Sequence, residues 1–263
     1  MPSQTLQEIY KLVKEEKKHV PRYRNAVFDF DNTCIHNDIG EAVLAYLCRH
    51  NLLKNPNLVQ GINPVDYHEA VFHTYHQYKK EQEFHKAYEF SAKILAGLTF
   101  SEVEEIVNKT ILEEGTEFRS EKLYGLPIQR GIRVKEDTAE LLNFLRENYT
   151  NTSIISASPW QVIEYAMQSL GLKFGKWIGV RTVVNNETFT DKVIPPIPVR
   201  EGKVLCIKRY VNPKIRPILA IGDSANDIPM LYYSTIKVIA KEHTLDQVTE
   251  TLVKDSRQRF YFL

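Results

Sequence analysis

Cysteine is scarce in this chain of 263 residues: only Cys34, Cys48 and Cys206 are present, with no CxxC spacing. An odd, scattered set argues against a disulfide scaffold or a structural zinc site and fits a reducing compartment. The 11 glycines and 12 prolines are too few for a collagen-like or low-complexity chain. No apolar run approaches the roughly 18 residues that would span a bilayer. The opening residues, Met-Pro-Ser-Gln-Thr-Leu-Gln, lack the basic-then-apolar pattern of a secretory signal. The expectation is a cytoplasmic protein without membrane contact. An excess of one charge is missing too, since 34 Lys+Arg balance 33 Asp+Glu to a net +1. No global field draws the chain to nucleic acid, so any positive potential that matters must be local.

An ample apolar share is present. With 43% hydrophobic residues the chain is not intrinsically disordered. A chain this long buries roughly 70% of its unfolded surface without staples. Leu6, Ile9, Tyr10 and Val13 recur at helical spacing, so an extra helix is expected within residues 1–20. Short Ile- and Val-rich runs at 25–31, 153–156, 178–184, 218–223, 236–240 and 260–263 read mostly as buried parallel strands. Helical patterns at 136–148, 159–170, 201–211 and 225–233 lie between several of them. This alternation predicts an α/β fold, a Rossmann-like parallel sheet with helices on both faces.

The stretch from about 34 to 130 differs. Its apolar periodicity is helical over 39–53, 65–96 and 101–113, and it is far longer than one crossover requires. A mostly helical domain, 35–129, is therefore expected as an insertion after the first strand of a core formed by 1–34 and 130–263. Residues 64–90 hold Tyr67, Phe72, Tyr75, Tyr78, Phe84, Tyr88 and Phe90 with His68, His73, His76 and His85. They read as a packing face of helices. Some of them could also line a pocket, since aromatic faces bind organic cations.

Three of the apolar runs end at reactive residues, where open α/β sheets place their ligands. The first run ends in Asp29-Phe-Asp31-Asn-Thr33, whose two carboxylates alternate onto one side of an extended chain. Crowded carboxylates repel, so one must meet a cation or keep a proton. The fourth run ends in Gly222-Asp223-Ser-Ala-Asn226-Asp227, whose oxygen donors suit a hard cation. The second ends at Ser156-Ala157-Ser158-Pro159, where a hydroxyl and free amides at a helix start could hold an anion. Lys203 is a lone cation in Arg200-Glu-Gly-Lys. Each piece alone also has an ordinary reading as a polar strand end, a helix cap or a surface lysine.

In this order and context the pieces together resemble the haloacid dehalogenase-like hydrolase superfamily, and most closely its phosphoserine phosphatase-like branch. Thr33 and Ser156 lie 123 positions apart, whereas a strand-helix-strand step needs only about 30, leaving room for a cap domain. The resemblance implies a phosphomonoesterase acting on a small metabolite. Asp29 would be the nucleophile and Asp31 the general acid and base. Thr33, Ser156, Ala157, Lys203 and Asn226 would hold the phosphoryl group. Mg2+ would sit on Asp29, the Asp31 carbonyl and Asp223, with Asp227 behind them. Two alternatives are a phosphotransferase to an alcohol and phosphoserine phosphatase itself. A non-catalytic binding protein is disfavoured because both Asp29 and Asp223 are present.

The resemblance also bears on the substrate. In phosphoserine phosphatases an acidic residue nine positions after the nucleophile binds the substrate amine; here it is Asp38. Aligning the cap places Phe84 on a retained aromatic position and Ser91 where a cap arginine pairs with the substrate carboxylate. A serine cannot replace a guanidinium–carboxylate pair, and an unpaired carboxylate would cost on the order of a hundredfold in binding. The expectation is an amine-bearing phosphoester without a carboxylate, such as phosphorylcholine or phosphoethanolamine.

Overall fold

The computed structural model describes residues 2–19, 25–148, 150–240, 250, 254 and 259–263. Its frame is a seven-stranded sheet in the order β6-β5-β4-β1-β7-β8-β9. The strands are β1 (Asn25–Phe28), β4 (Asn151–Pro159), β5 (Lys176–Asn185), β6 (Thr188–Ile194), β7 (Leu219–Gly222), β8 (Ile236–Ile239) and β9 (Phe260–Phe262). All neighbours pair in parallel except β5 with β6. Strand β1 is central, with Val27 opposite Ser153 of β4 and Ala220 of β7. Strand order reverses there, which opens a crevice at the carboxyl ends of β1, β4 and β7.

The apolar runs are continuous because both faces are covered. Ala26, Phe28, Ile154, Leu219 and Ile221 belong to the larger buried cluster, whereas Val27, Ile155 and Ala220 pack with Ile228, Met230 and Leu231 on the other face. This is the two-residue alternation of a strand. On the larger cluster sit Leu6, Ile9 and Val13 of α1 (Gln4–His19), Leu141, Leu142 and Leu145 of α6 (Glu136–Glu147), and Val162 and Ile163 of α7 (Trp160–Ser169). The opposite cluster includes Cys206 of α8 (Glu201–Cys206), Ile207 of the following π-helical turn Ile207–Val211, and α9 (Ile228–Tyr232).

Between β1 and β4 the chain forms α2 (Ile39–Arg49), a short 3-10 turn Pro64–Asp66, α3 (Tyr67–Lys80), α4 (Phe84–Lys93), α5 (Phe100–Glu114) and an antiparallel hairpin, β2 (Arg119–Leu123) with β3 (Leu126–Arg130). The periodic stretch 65–96 forms two helices, α3 and α4, and the mostly helical insertion closes on a hairpin after α5. Gln82 at φ 57° divides the long periodic stretch, because a left-handed residue cannot continue a right-handed helix. The hairpin turns on Tyr124 and Gly125 at φ 48° and 79°, as a two-residue turn between twisted strands requires. The chain ends of this insertion meet where Ile35 bridges Val134. Its apolar side chains, among them Leu44, Phe72, Tyr75 and Val107, are continuous with the cluster beneath the sheet.

Arg130 ties the hairpin to α5. Its guanidinium is 3% exposed, with Nε 2.7 Å from Glu114 and Nη1 2.6 Å from Glu121. Glu114 also accepts the Gly131 amide, and Asn37 donates to the Gly131 carbonyl, so this cluster braces the loop that follows β1. Removing one partner of a buried ion group costs roughly 3–5 kcal/mol, and each kcal/mol moves the melting point of a chain this size by about 2–4 °C. Arg130→Met is expected to lower the melting temperature by about 6 °C or more in a thermal melt. A shift below about 2 °C would show that the cluster does not brace the loop.

Candidate active site

Strand β1 ends at Phe28, and the next residue hydrogen-bonds across to β7, from the Asp29 amide to the Ile221 carbonyl at 2.9 Å. The chain then turns sharply: the Cys34 amide donates to the Phe30 carbonyl and the Asn32 amide to the Asn37 carbonyl. This turn sets Asp29 and Asp31 on the wall of one cavity of about 400 Å³. Ser156 and Ala157 reach the cavity from the end of β4, Asp223 and Asn226 from the loop after β7, and Lys203 from α8. Residues far apart in sequence thus converge at the reversal point of the sheet.

Charge density is the dominant feature. Lys203 is fully buried, with Nζ 2.8 Å from Asp29 Oδ1 and paired also to Asp227. Asp227 in turn accepts from the Asp223 and Ser224 amides and the Ser224 hydroxyl. It sits behind the wall rather than on it, 0% exposed. Gly222 permits this packing, since a Cβ there would stand 2.4 Å from the Asp227 Cγ. Carboxylate oxygens of Asp29, Asp223 and Asp227 lie within 4.8 Å of one another. Three hard oxygen donors this close fit Mg2+.

Burial, reinforced by Asp227, pushes the Asp29 carboxyl up to about 7 despite Lys203. Asp31 is raised well above the usual carboxylate range by burial, then by Asp38 and Asp29. Its oxygens accept from the Ile39 amide at 2.8 Å, the Ser156 hydroxyl at 3.1 Å and the Ser158 hydroxyl at 2.7 Å.

The remaining expected residues are distributed unevenly. Asp38 lines the cavity while capping α2, accepting the Glu41 amide at 2.9 Å. Phe84 lines it as well. Ser91 does not: it is buried on α4 and its hydroxyl donates to the Tyr88 carbonyl of its own helix. Thr33 is buried beneath the loop, its hydroxyl oxygen without a hydrogen-bond partner, and it too is off the cavity wall. The Asn226 Oδ1 likewise has none. Of the aromatic stretch, Phe72 and Tyr75 are core and only Phe84 and Tyr88 reach the cavity.

Sequence reasoning missed Lys79 and Arg200 on the cavity wall. Lys79 is paired to Glu41. Arg200 lies 5.3 Å from the Phe84 ring centroid, and no acidic partner for it is found among the described residues. Its backbone is at φ 49° and ψ −119°, a region costly for any side chain. The only prior signal for Arg200 was its place three residues before Lys203.

A family model for haloacid dehalogenase-like hydrolases matches residues 26–232. The chain belongs to this family of enzymes. It is 25% identical over 251 residues to a phosphorylcholine phosphatase of Pseudomonas aeruginosa, a match covering 80% of this chain and 71% of that one. Among solved structures it resembles a conserved, functionally unknown protein from Anaerococcus prevotii (20% identity, TM-score 0.73, covering 99% and 92% of the two chains). It also resembles a phospho-aspartyl intermediate analogue of phosphoserine phosphatase (16% identity, TM-score 0.51, covering 83% and 86%). These two likenesses are of fold. No helix among the described residues is long and apolar enough to cross a membrane.

The raised carboxyls predict how stability depends on pH and metal. Asp29 at about 7 and Asp38 at about 6 bind protons in the folded chain that the unfolded chain has already lost. Stability from these groups is therefore complete at low pH and lost as pH rises from about 4 through about 7. In chelator the melting temperature should fall across that window. Millimolar Mg2+ should raise it, and by more at pH 8 than at pH 5.5, because binding needs ionised carboxylates. An equal metal effect at both pH values would contradict the site built on Asp29 and Asp223.

Proposed function

We propose that this protein is a Mg2+-dependent phosphomonoesterase that works through an aspartyl-phosphate on Asp29. The observation that carries the reading is one buried cavity holding Asp29 and Asp31 together, with Lys203 at 2.8 Å from Asp29. An Asp29 oxygen bonds to phosphorus as the bond to the leaving oxygen breaks, and Asp31 gives that oxygen its proton. Water then attacks the same phosphorus, Asp31 takes its proton, and the acyl-phosphate bond breaks to release inorganic phosphate. Lys203, Asn226, Ser156 and the amides after it hold the phosphoryl oxygens where charge accumulates. Mg2+ on Asp29, the Asp31 carbonyl and Asp223, oriented by Asp227, would neutralise the repulsion between a carboxylate and a dianionic ester.

For the substrate we infer a small amine-bearing phosphoester without a carboxylate, such as phosphorylcholine or phosphoethanolamine. Asp38, Phe84 and Tyr88 on the wall offer an anion and two aromatic faces to an ammonium group. Ser91 is turned away, and the curated relative's name points the same way. One observation favours a second reading, a phosphorylated amino acid: Arg200 on the same wall could pair with a carboxylate.

Two experiments test these readings. Asp29→Asn should abolish turnover without unfolding the chain. Asp31→Asn should form a base-labile phosphoenzyme from p-nitrophenyl phosphate and fail to hydrolyse it. Asp29→Asn turnover within tenfold of the parent would overturn the nucleophile. The substrate is tested by comparing kcat/KM for phosphoethanolamine, phosphorylcholine and phosphoserine, where phosphoserine should trail by about a hundredfold. A tenfold preference for phosphoserine that disappears in Arg200→Ala would establish the second reading instead.

A further inference from the structure

We propose that Ser158 is a positioning residue for Asp31, holding its carboxyl in place while Ser156 turns to the phosphoryl group. This rests on the reading of Asp31 as acid and base. The two serines share one acceptor, Asp31 Oδ2, with Ser158 the nearer at 2.7 Å and Ser156 at 3.1 Å. Their surroundings differ. Both are buried, but Ser156 lines the catalytic cavity, with its hydroxyl oxygen accepting the Ser158 amide at 3.0 Å, whereas Ser158 is not part of the cavity wall. A phosphoryl oxygen entering the cavity meets the Ser156 hydroxyl and draws it away from Asp31. The Ser158 hydroxyl has no such alternative and stays.

A count of lone pairs says what the arrangement achieves. A carboxylate offers about four acceptor positions, two on each oxygen. The two hydroxyls fill Oδ2, and the Ile39 amide takes one position on Oδ1 at 2.8 Å. With both hydroxyls in place the open position is on Oδ1; when Ser156 turns away a second opens on Oδ2, and Ser158 and the Ile39 amide still fix the plane of the carboxyl. The mobile proton occupies one of these positions, passes to the leaving oxygen as its bond to phosphorus breaks, and is replaced by a water proton as the water oxygen bonds to phosphorus and Asp29 is released. Without Ser158, once Ser156 has turned away, only the Ile39 amide restrains the carboxyl, which is free to rotate about its own axis.

The first turn of α2 enforces the geometry from the other side. A Cβ at Gly40 would lie 2.7 Å from the Ser158 Oγ, so only a glycine in that turn leaves the hydroxyl room to reach Asp31. Gly40 and Ser158 are 118 positions apart in sequence, and nothing in either local sequence announces the contact.

The test separates the two half-reactions in rapid-quench kinetics with p-nitrophenyl phosphate, whose leaving group departs without help from an acid. In Ser158→Ala the burst of p-nitrophenol should stay within threefold of the parent, while phosphoenzyme decay slows tenfold or more, as a lost share of general-base catalysis predicts. For phosphoethanolamine kcat should fall at least tenfold with KM within threefold. Gly40→Ala, which displaces the hydroxyl without deleting it, should reproduce the defect. Added to Ser158→Ala it should cost less than a further threefold. If Ser158→Ala does not fold, Ser158→Cys, close in volume but a poor donor, is measured in its place and should show the same split. Equal slowing of burst and decay, or decay within twofold of the parent, would overturn the proposal. Asp31→Asn is run alongside. If its phosphoenzyme decays normally, the assignment of Asp31 itself fails. If it is blocked while Ser158→Ala decays normally, only Ser158 loses its role.

Discussion

Everything in this molecule is arranged around one buried contact, Lys203 with Asp29 and Asp227. Parallel strands point several carboxylates into the same crevice, and burial there penalises every uncompensated charge. Lys203 meets two of them at once from an element more than 170 positions downstream of Asp29. Asp227 is further satisfied by the amides and hydroxyl of its own loop. The carboxylates of Asp29 and Asp223 lie where a divalent cation would offset their charge and that of a phosphoryl group. The same crowding raises the Asp31 carboxyl well above the usual carboxylate range, the direction that the proposed acid catalysis requires.

The segment inserted after β1 shapes the rest of the cavity without being a separate body. Its helices share an apolar cluster with the sheet, and Phe84, Tyr88 and Lys79 descend from it to the cavity wall. Helix α2 has the most direct part. Its first amide binds Asp31, its cap is Asp38, and its Gly40 touches Ser158. An element assigned by sequence to the insertion thus reaches Asp31 of the core, the residue proposed as acid and base. Arg200 approaches from the core side in a costly backbone conformation and lies near Phe84 of the insertion. The cavity wall is therefore built by both parts of the chain.

Local information determined a good deal. The parallel strands were legible because both faces of the sheet are covered, which leaves unbroken apolar runs. The motifs at Asp29–Thr33, Ser156 and Asp223–Asp227 were legible because each closes such a run, which places them near one sheet edge, whereas Lys203 joined them only through the family resemblance. Helical periodicity marked the insertion but not its interruptions. The break at Gln82 carries no proline or glycine, so nothing in the local pattern demanded it, whereas the hairpin turn at Tyr124-Gly125 does hold a glycine signal. What only the tertiary structure decided was which side chains share the cavity. Ser91 and Phe84 lie on one short helix, yet Phe84 faces the cavity and Ser91 turns back to its own backbone. Thr33 follows Asp31 by two residues and is nonetheless sealed beneath the loop. Arg200, Lys79 and Ser158 gained their positions from contacts across 38 or more residues of chain, and such contacts leave no periodic trace. Periodicity reports which face of an element is buried; only the packing of elements against one another decides which buried atoms meet.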